Sequence, residues 1–237
     1  MRLPDREREG LAFRLLRDLG QGEFVLIGGY AVSAHGPPRF SVDLDMVLES
    51  SEVPKVQDVL RERGLSAVKT WDGGEVFAGR AERWALDPGA LPIAVDMLID
   101  GVHDRVSGAS FSYRDIRGGS SRLPLRGLDP SAAAEARVAD RETLVALKLA
   151  AGRKVDLRDI AILAGSPLDV GRIRLLLDSA DRQILLDHVQ TLEFALSTRD
   201  FSDSLKGVYM LEDRAFTLYR EGARRLCLRL RASLEPP

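Results

Sequence analysis

The chain changes its pattern once, at Asp129-Pro130, and that change limits the possible folds more than any other feature. Before it, short apolar runs bounded by glycine alternate with helical stretches. After it, every segment carries apolar residues at helical spacing, with few strand signals. In the first part, helices are expected at 4–19 (Leu11, Leu15 and Leu19 on one stripe), over Tyr30 to His35 before Gly36-Pro37-Pro38, and at 53–63 with Gly64 as the stop. Strands are expected at Phe24-Val25-Leu26-Ile27, Val42 to Leu48, 65–71, 75–85 and Ile93 to Ile99, with Gly73-Gly74 as a hairpin turn. Residues 109–114 and 121–126 read as a further strand pair. Beyond the break, 131–151, 155–164, 169–179, 181–197 and 208–232 read as helices. The pattern predicts an α+β domain over residues 1–128 and a helical domain over 129–237.

Composition narrows the function classes. With 45% apolar and 30% charged residues, the chain has the balance of an ordinary globular protein. No window approaches 18 uncharged apolar residues, and the charged N-terminal stretch lacks an apolar core, so neither a membrane span nor a secretory signal is expected. A cytoplasmic location follows as the expectation. The single cysteine, Cys227, excludes a disulfide framework or a cysteine-based zinc cluster. A net charge of −2 excludes a uniformly basic glove for nucleic acid. Of the 34 basic residues only five are Lys, so an individual lysine carries more information than an individual arginine.

Asp43-Leu44-Asp45 is unremarkable as a triplet in so Asp-rich a chain; its setting makes it informative. On a strand, Val42, Leu44, Met46 and Leu48 would share one apolar face, leaving Asp43 and Asp45 side by side on the other. Two such carboxylates repel unless a cation lies between them, and Mg²⁺ suits an all-oxygen site. Asp96, inside the apolar run Ile93 to Ile99, is a third charge in need of a partner or a task. It either completes an oxygen cluster with Asp43 and Asp45 or pairs with one of the many arginines. Gly28-Gly29, where a strand runs into a helix, would present backbone N–H groups to a phosphate, or would simply make a tight turn.

These residues carry a resemblance. Gly28-Gly29, thirteen residues, then Asp43-x-Asp45, with Asp96 on a later strand, resembles the nucleotidyltransferase superfamily that includes DNA polymerase β. The fuller strings Ile27 to Gly36 and Arg39-Phe40-Ser41-Val42-Asp43-Leu44-Asp45 are similar to the AbiEii-type nucleotidyltransferase toxins of bacterial toxin–antitoxin systems, some of which modify tRNA. Asp140 to Ile160 resembles that family's second-domain segment, in which a lysine-bearing helix is followed by Lys-x-Asp-x-x-Asp. Many superfamily members have Gly-Ser at the turn. Here the second residue is Gly29, which the AbiEii-like branch tolerates.

The resemblance implies a polymerase β-like catalytic domain with a mixed sheet, and a role for each matched residue. Asp43, Asp45 and Asp96 would ligate two Mg²⁺ ions (or Mn²⁺), with Asp96 accepting the acceptor's proton. Gly28 and Gly29, with Ser33, Arg39 and Ser41 nearby, would contact phosphate. Lys148, within the apolar run Leu144 to Ala150, would bind the triphosphate. Asp156 and Asp159 would orient Lys148 or Arg153, or contact the nucleotide. An NTP is the implied donor, an RNA (tRNA-like) or protein hydroxyl the acceptor, and a cognate antitoxin protein the partner. Arginines at 105, 114, 117, 122 and 126, and at 220, 224, 225, 229 and 231, are candidate RNA-backbone contacts. Two other readings stand beside this one: a small-molecule (aminoglycoside-type) nucleotidyltransferase, and a catalytically silent binding module of the same fold.

Overall fold

The computed structural model describes residues 3–20, 22–71, 79–86 and 93–235. The chain forms two compact units. One comprises Met1–Ala34, Pro38–His103 and Phe111–Ala139; the other comprises His35–Pro37, Asp104–Ser110 and Asp140–Pro237.

The first unit is built on a mixed sheet. Its strands are β1 (Phe24–Leu26), β2 (Asp43–Leu48), β3 (Leu65–Trp71), β4 (Arg80–Leu86), β5 (Ala94–Ile99), β8 (Ser120–Arg126) and β9 (Ala133–Ala139), in the order β3-β4-β5-β2-β1-β9-β8. β2 runs parallel to β5 and β1 parallel to β9, while the remaining neighbours are antiparallel. β6 (Gly101–His103) and β7 (Ser110–Ser112) form a separate two-stranded ribbon. Leu44, Met46, Val47 and Leu48 of β2 and Val95 and Met97 of β5 are fully buried, so the centre of the sheet is also the centre of the core. α1 (Leu3–Leu19) lies against β9 and α3 (Val53–Glu62). α3 is fastened to β4 by Gln57, whose Nε2 donates to the buried Glu82 carboxylate at 2.9 Å, while Trp84 Nε1 donates to the same group at 2.8 Å. Glu82 and Trp84 therefore occupy one face of β4, and alternation turns Arg83 to the other.

The second unit is helical. It contains α5 (Arg141–Ala151), α6 (Lys154–Leu163), α7 (Val170–Leu176), α8 (Arg182–Ala195), α9 (Arg199–Tyr209) and α10 (Asp213–Leu234). α10 packs on α6, α7 and α8. Side-chain caps set several starts: Asp140 accepts from Thr143 N, Asp169 from Arg172 N, Asp181 from Ile184 N, and Thr198 from Phe201 N.

The fold class is as expected, and the differences have local causes. Residues 131–140 are not the first turns of a helix. Ala133–Ala139 is a strand in which Ala136 and Val138 point inward and Glu135 outward, and pairing with both β8 and β1 overrides alanine's small helical preference. Residues 109–114 do not pair with 121–126. β7 pairs with β6, Tyr113–Gly118 forms α4 under a Ser112 cap, and β8 pairs with β9. The expected helix 208–232 is interrupted at Met210, which has a positive φ of 50°, and α9 precedes it. Val42 precedes β2 and is exposed, so it does not join the apolar face of Leu44, Met46 and Leu48. Helix α2 (Gly28–His35) starts two residues earlier than expected and takes in both glycines. The Gly73-Gly74 turn lies outside the described residues.

Candidate active site

Three adjacent strands bring one row of charged side chains together. In the parallel pairing of β2 with β5, Asp45 and Asp96 are register partners. In the antiparallel pairing of β5 with β4, Asp96 is the partner of Arg83. Laterally paired residues project to the same face, so Arg83, Asp96 and Asp45 lie in a line across β4, β5 and β2, spaced by the strand separation of about 4.8 Å. Asp43, two residues back along β2, shares that face. Arg83 donates through its two terminal nitrogens, one to Asp96 Oδ2 at 2.9 Å and the other to Asp43 Oδ1 at 3.0 Å. One guanidinium thus spans two of the three carboxylates.

The neutralisation is incomplete. Asp96 Oδ1 is buried and receives no hydrogen bond among the described residues. Burial, then the neighbouring Asp45 carboxylate, push the Asp96 carboxyl up to about 6 against the pull of Arg83, and Asp43 adds to the rise. Such a group is short of positive charge when ionised.

The start of α2 closes on this row. Ile27 N donates to Asp45 O at 3.0 Å, which sets the β1–α2 junction beside β2. Gly28 has a φ of 43°, and a Cβ placed there would fall 1.8 Å from Asp45 Oδ2. A Cβ on Gly29 would fall 2.4 Å from the Ser41 hydroxyl and 2.9 Å from both terminal nitrogens of Arg39. Asp45, Ser41 and Arg39 therefore crowd the first turn of the helix, and only glycine at both positions permits it. Ser33 is used differently. Its hydroxyl donates to Gly29 O and accepts from Arg39 N, both at 3.2 Å, so it ties the helix to the loop that carries Arg39. Tyr30 OH donates to Ser41 O at 3.1 Å and holds the same loop.

In the second unit the structure brings Lys148, Asp156 and Asp159 together. Lys148 Nζ lies 3.1 Å from Asp156 Oδ1 and 2.6 Å from Asp159 Oδ2, with side-chain exposures of 9%, 1% and 2%. Arg153 Nε holds Asp156 Oδ2 at 2.7 Å, and the Tyr209 hydroxyl donates to Asp159 Oδ1. All four carboxylate oxygens have partners. Beside this network His188 Nδ1 meets Leu149 O at 2.7 Å, and its ring packs against the left-handed Gly152 that ends α5.

Comparisons with known proteins identify the family. The model of the nucleotidyl transferase AbiEii toxin family, of type IV toxin–antitoxin systems, matches residues 11–217. The chain belongs to that family. Two Helicobacter pylori structures align with this AbiEii chain along most of its length. One, described as a candidate nucleotidyltransferase, has 17% identity and a TM-score of 0.47 and covers 100% of both chains. The other, JHP933, has 15% identity and a TM-score of 0.48, and covers 98% of this chain and 96% of its own. No curated protein matches the sequence. No helix among the described residues is long and apolar enough to cross a membrane.

The donors of this AbiEii chain suit a hard divalent cation. They are all oxygens, two carboxylates are neighbours across a strand pair, and one buried carboxylate oxygen lacks a partner among the described residues. As the side chains stand, however, no three His, Cys, Asp or Glu among the described residues are gathered closely enough to hold an ion, and two of the candidate ligands are joined by Arg83 instead. Arg83 is the residue that sequence reasoning missed. It is one of 29 arginines, and only the alternation of Glu82, Arg83 and Trp84 along β4 distinguishes it. Several of the arginines expected to face RNA are engaged within the chain: Arg117 with Glu23, Arg220 and Arg224 with Glu221, Arg231 with Glu193, and Arg229 with Leu168 O.

Proposed function

We propose that the protein transfers a nucleoside monophosphate from an NTP to a hydroxyl of an RNA (tRNA-like) or protein acceptor, with Mg²⁺ or Mn²⁺ as cofactor, and acts as the toxin of a toxin–antitoxin pair with a cognate antitoxin. Family membership supports nucleotidyl transfer and a toxin role. The observation that carries the finer reading is the row of Asp45 and Asp96, paired across β2 and β5 and pressed against the Gly28-Gly29 start of α2.

Each part of the reading follows from charge and position. Asp43, Asp45 and Asp96 are the proposed metal ligands. When bound there, a divalent cation supplies Lewis-acid activation of the attacking hydroxyl and neutralises charge on the transferred phosphoryl group. The first turn of α2 lies beside the Asp45 carboxylate, and its backbone N–H groups, at the positive end of the helix dipole, would favour phosphate there. Arg39 and Ser41, packed on Gly29, add a guanidinium and a hydroxyl to that turn. Ser33 serves by fixing Arg39 rather than by touching phosphate. Asp96, with its carboxyl raised towards neutrality and one oxygen unpartnered among the described residues, is suited to accept the acceptor's proton. Lys148 is proposed as a phosphate-binding cation oriented by Asp156 and Asp159, which take up two of its three N–H groups.

Incubation with each α-³²P-labelled NTP, Mg²⁺ and total RNA, beside an Asp43→Ala control, tests this reading. Label on an RNA band that vanishes with the variant identifies nucleotide and acceptor together. Label on protein moves the acceptor to a protein hydroxyl. No label anywhere, with NTP still bound, favours a small-molecule acceptor or a silent site.

A further inference from the structure

Arg83 stands where a cation is needed, yet it is held there loosely. Its guanidinium spans Asp43 and Asp96 with two hydrogen bonds of 3.0 and 2.9 Å, and its side chain is 38% exposed. On its own face of β4 its neighbours two residues away are Ala81 and Ala85, whose small side chains leave room for an arginine to swing aside. It brings one positive charge to two carboxylates and leaves Asp96 Oδ1 without a hydrogen-bond partner among the described residues. The ammonium of Lys148 offers the contrast: its side chain is only 9% exposed and it is paired with two aspartates that are almost fully buried.

We infer that Arg83 is an exchangeable counter-ion. It holds the Asp43–Asp96 pair together in the ligand-free protein, competes with a divalent cation for those carboxylates, and releases them when metal and nucleotide bind together. The inference rests on the proposed metal- and nucleotide-dependent reaction. The chemistry is a plain exchange of charges. Two carboxylates satisfied by a guanidinium would instead be satisfied by a divalent ion, and the displaced guanidinium would find a new anionic partner in the nucleotide's phosphates. Metal and nucleotide would then favour each other's binding, because each removes a cost that the other would otherwise bear alone. Arg83 is in this sense a positioning residue: it controls when Asp43 and Asp96 are available.

The test is Mn²⁺ binding followed by the electron paramagnetic resonance signal of the free ion, on the full chain and its Arg83→Gln and Arg83→Lys variants. Each is titrated alone and with the α,β-methylene analogues of ATP, CTP, GTP and UTP in turn. The wild type should bind Mn²⁺ weakly alone and about tenfold or more tightly with the accepted analogue, within the usual range of coupling between sites. Arg83→Gln should bind Mn²⁺ alone about tenfold more tightly than the wild type and gain little further from nucleotide. Arg83→Lys, which cannot span both carboxylates, should fall between them, and it carries the test if the glutamine variant does not fold. A merely structural arginine would give weaker or unchanged metal binding when removed. That result, with wild-type Mn²⁺ binding still enhanced by nucleotide, overturns the exchange and leaves the proposed function standing. Absence of Mn²⁺ binding in all three proteins, even with nucleotide, overturns both.

Discussion

The two aspartate clusters are built from the same residue types and are in opposite electrostatic condition. In the helical unit, Asp156 and Asp159 are almost fully buried, and Lys148, Arg153 and Tyr209 satisfy every oxygen. In the sheet unit, Asp43 and Asp96 are about a quarter exposed and share one partly exposed guanidinium, and an oxygen of Asp96 has no hydrogen-bond partner among the described residues. A completed network of buried charge fixes a fold, because removing any member strands the others. An incomplete one on a partly open face keeps its affinity for something that arrives from outside. The difference separates carboxylates that hold helices together from carboxylates proposed here to take up a cation, which no count of acidic residues would do.

Substitutions should divide along the same line. Asp45→Asn, which removes a charge but no volume from the sheet row, should lower nucleotidyl transfer by about a thousandfold or more, or roughly 4 kcal/mol of transition-state stabilisation, and leave the melting temperature nearly unchanged. Transfer assays and thermal melts on one preparation check both halves. Lys148→Met should do the reverse first. It strands two buried carboxylates, so the folded state should lose about 3 kcal/mol, seen as a lower urea midpoint. If instead the midpoint holds and only the KM for NTP rises, the helical cluster is chiefly a nucleotide subsite and the contrast collapses. Gly28→Ala comes next. With φ at 43° and Asp45 Oδ2 only 1.8 Å from the new Cβ, it should cost about 1 kcal/mol of stability and displace the Asp45 carboxylate, so activity should fall further than stability does.

Much of this was legible in the residues, for physical reasons that also mark where legibility stopped. Asp43 and Asp45 could be placed on one strand face because strand alternation is a local rule, and Leu44, Met46 and Leu48 obey it. Gly28-Gly29 could be read as a close-approach point because only glycine leaves such space. Lys148 stood out because charge is rare on an apolar helix. The pairing of Asp45 with Asp96, by contrast, depends on which strands are neighbours and in what register, and these are set by contacts among residues some fifty positions apart. Arg83 was invisible for the same reason, compounded by the chain's abundance of arginine. β9 was misread as helix because local propensity favoured helix in an alanine-rich stretch while two distant strands offered it hydrogen bonds on both edges.

The smallest effect distinguishes the clusters by pH. The Asp96 carboxyl sits at about 6 in the folded chain against an ordinary 3.8, so the fold binds its proton more tightly than the unfolded chain does. The contribution of this group to stability is therefore full below pH 3.8 and is lost as pH rises from there through about 6. Asp96→Asn, which keeps the shape and removes the titration, should melt a few degrees higher than the wild type at pH 8, and the gap should close towards pH 4. Transfer should move the other way in the wild type, falling as pH drops below about 6, because a protonated Asp96 neither binds a cation nor accepts a proton. Opposite pH trends for melting and for transfer, traced to one carboxylate, are what an incompletely neutralised site predicts. A variant that melts lower than the wild type at pH 8 would instead mean that Arg83 already satisfies Asp96, and that the sheet row is as complete as the helical one.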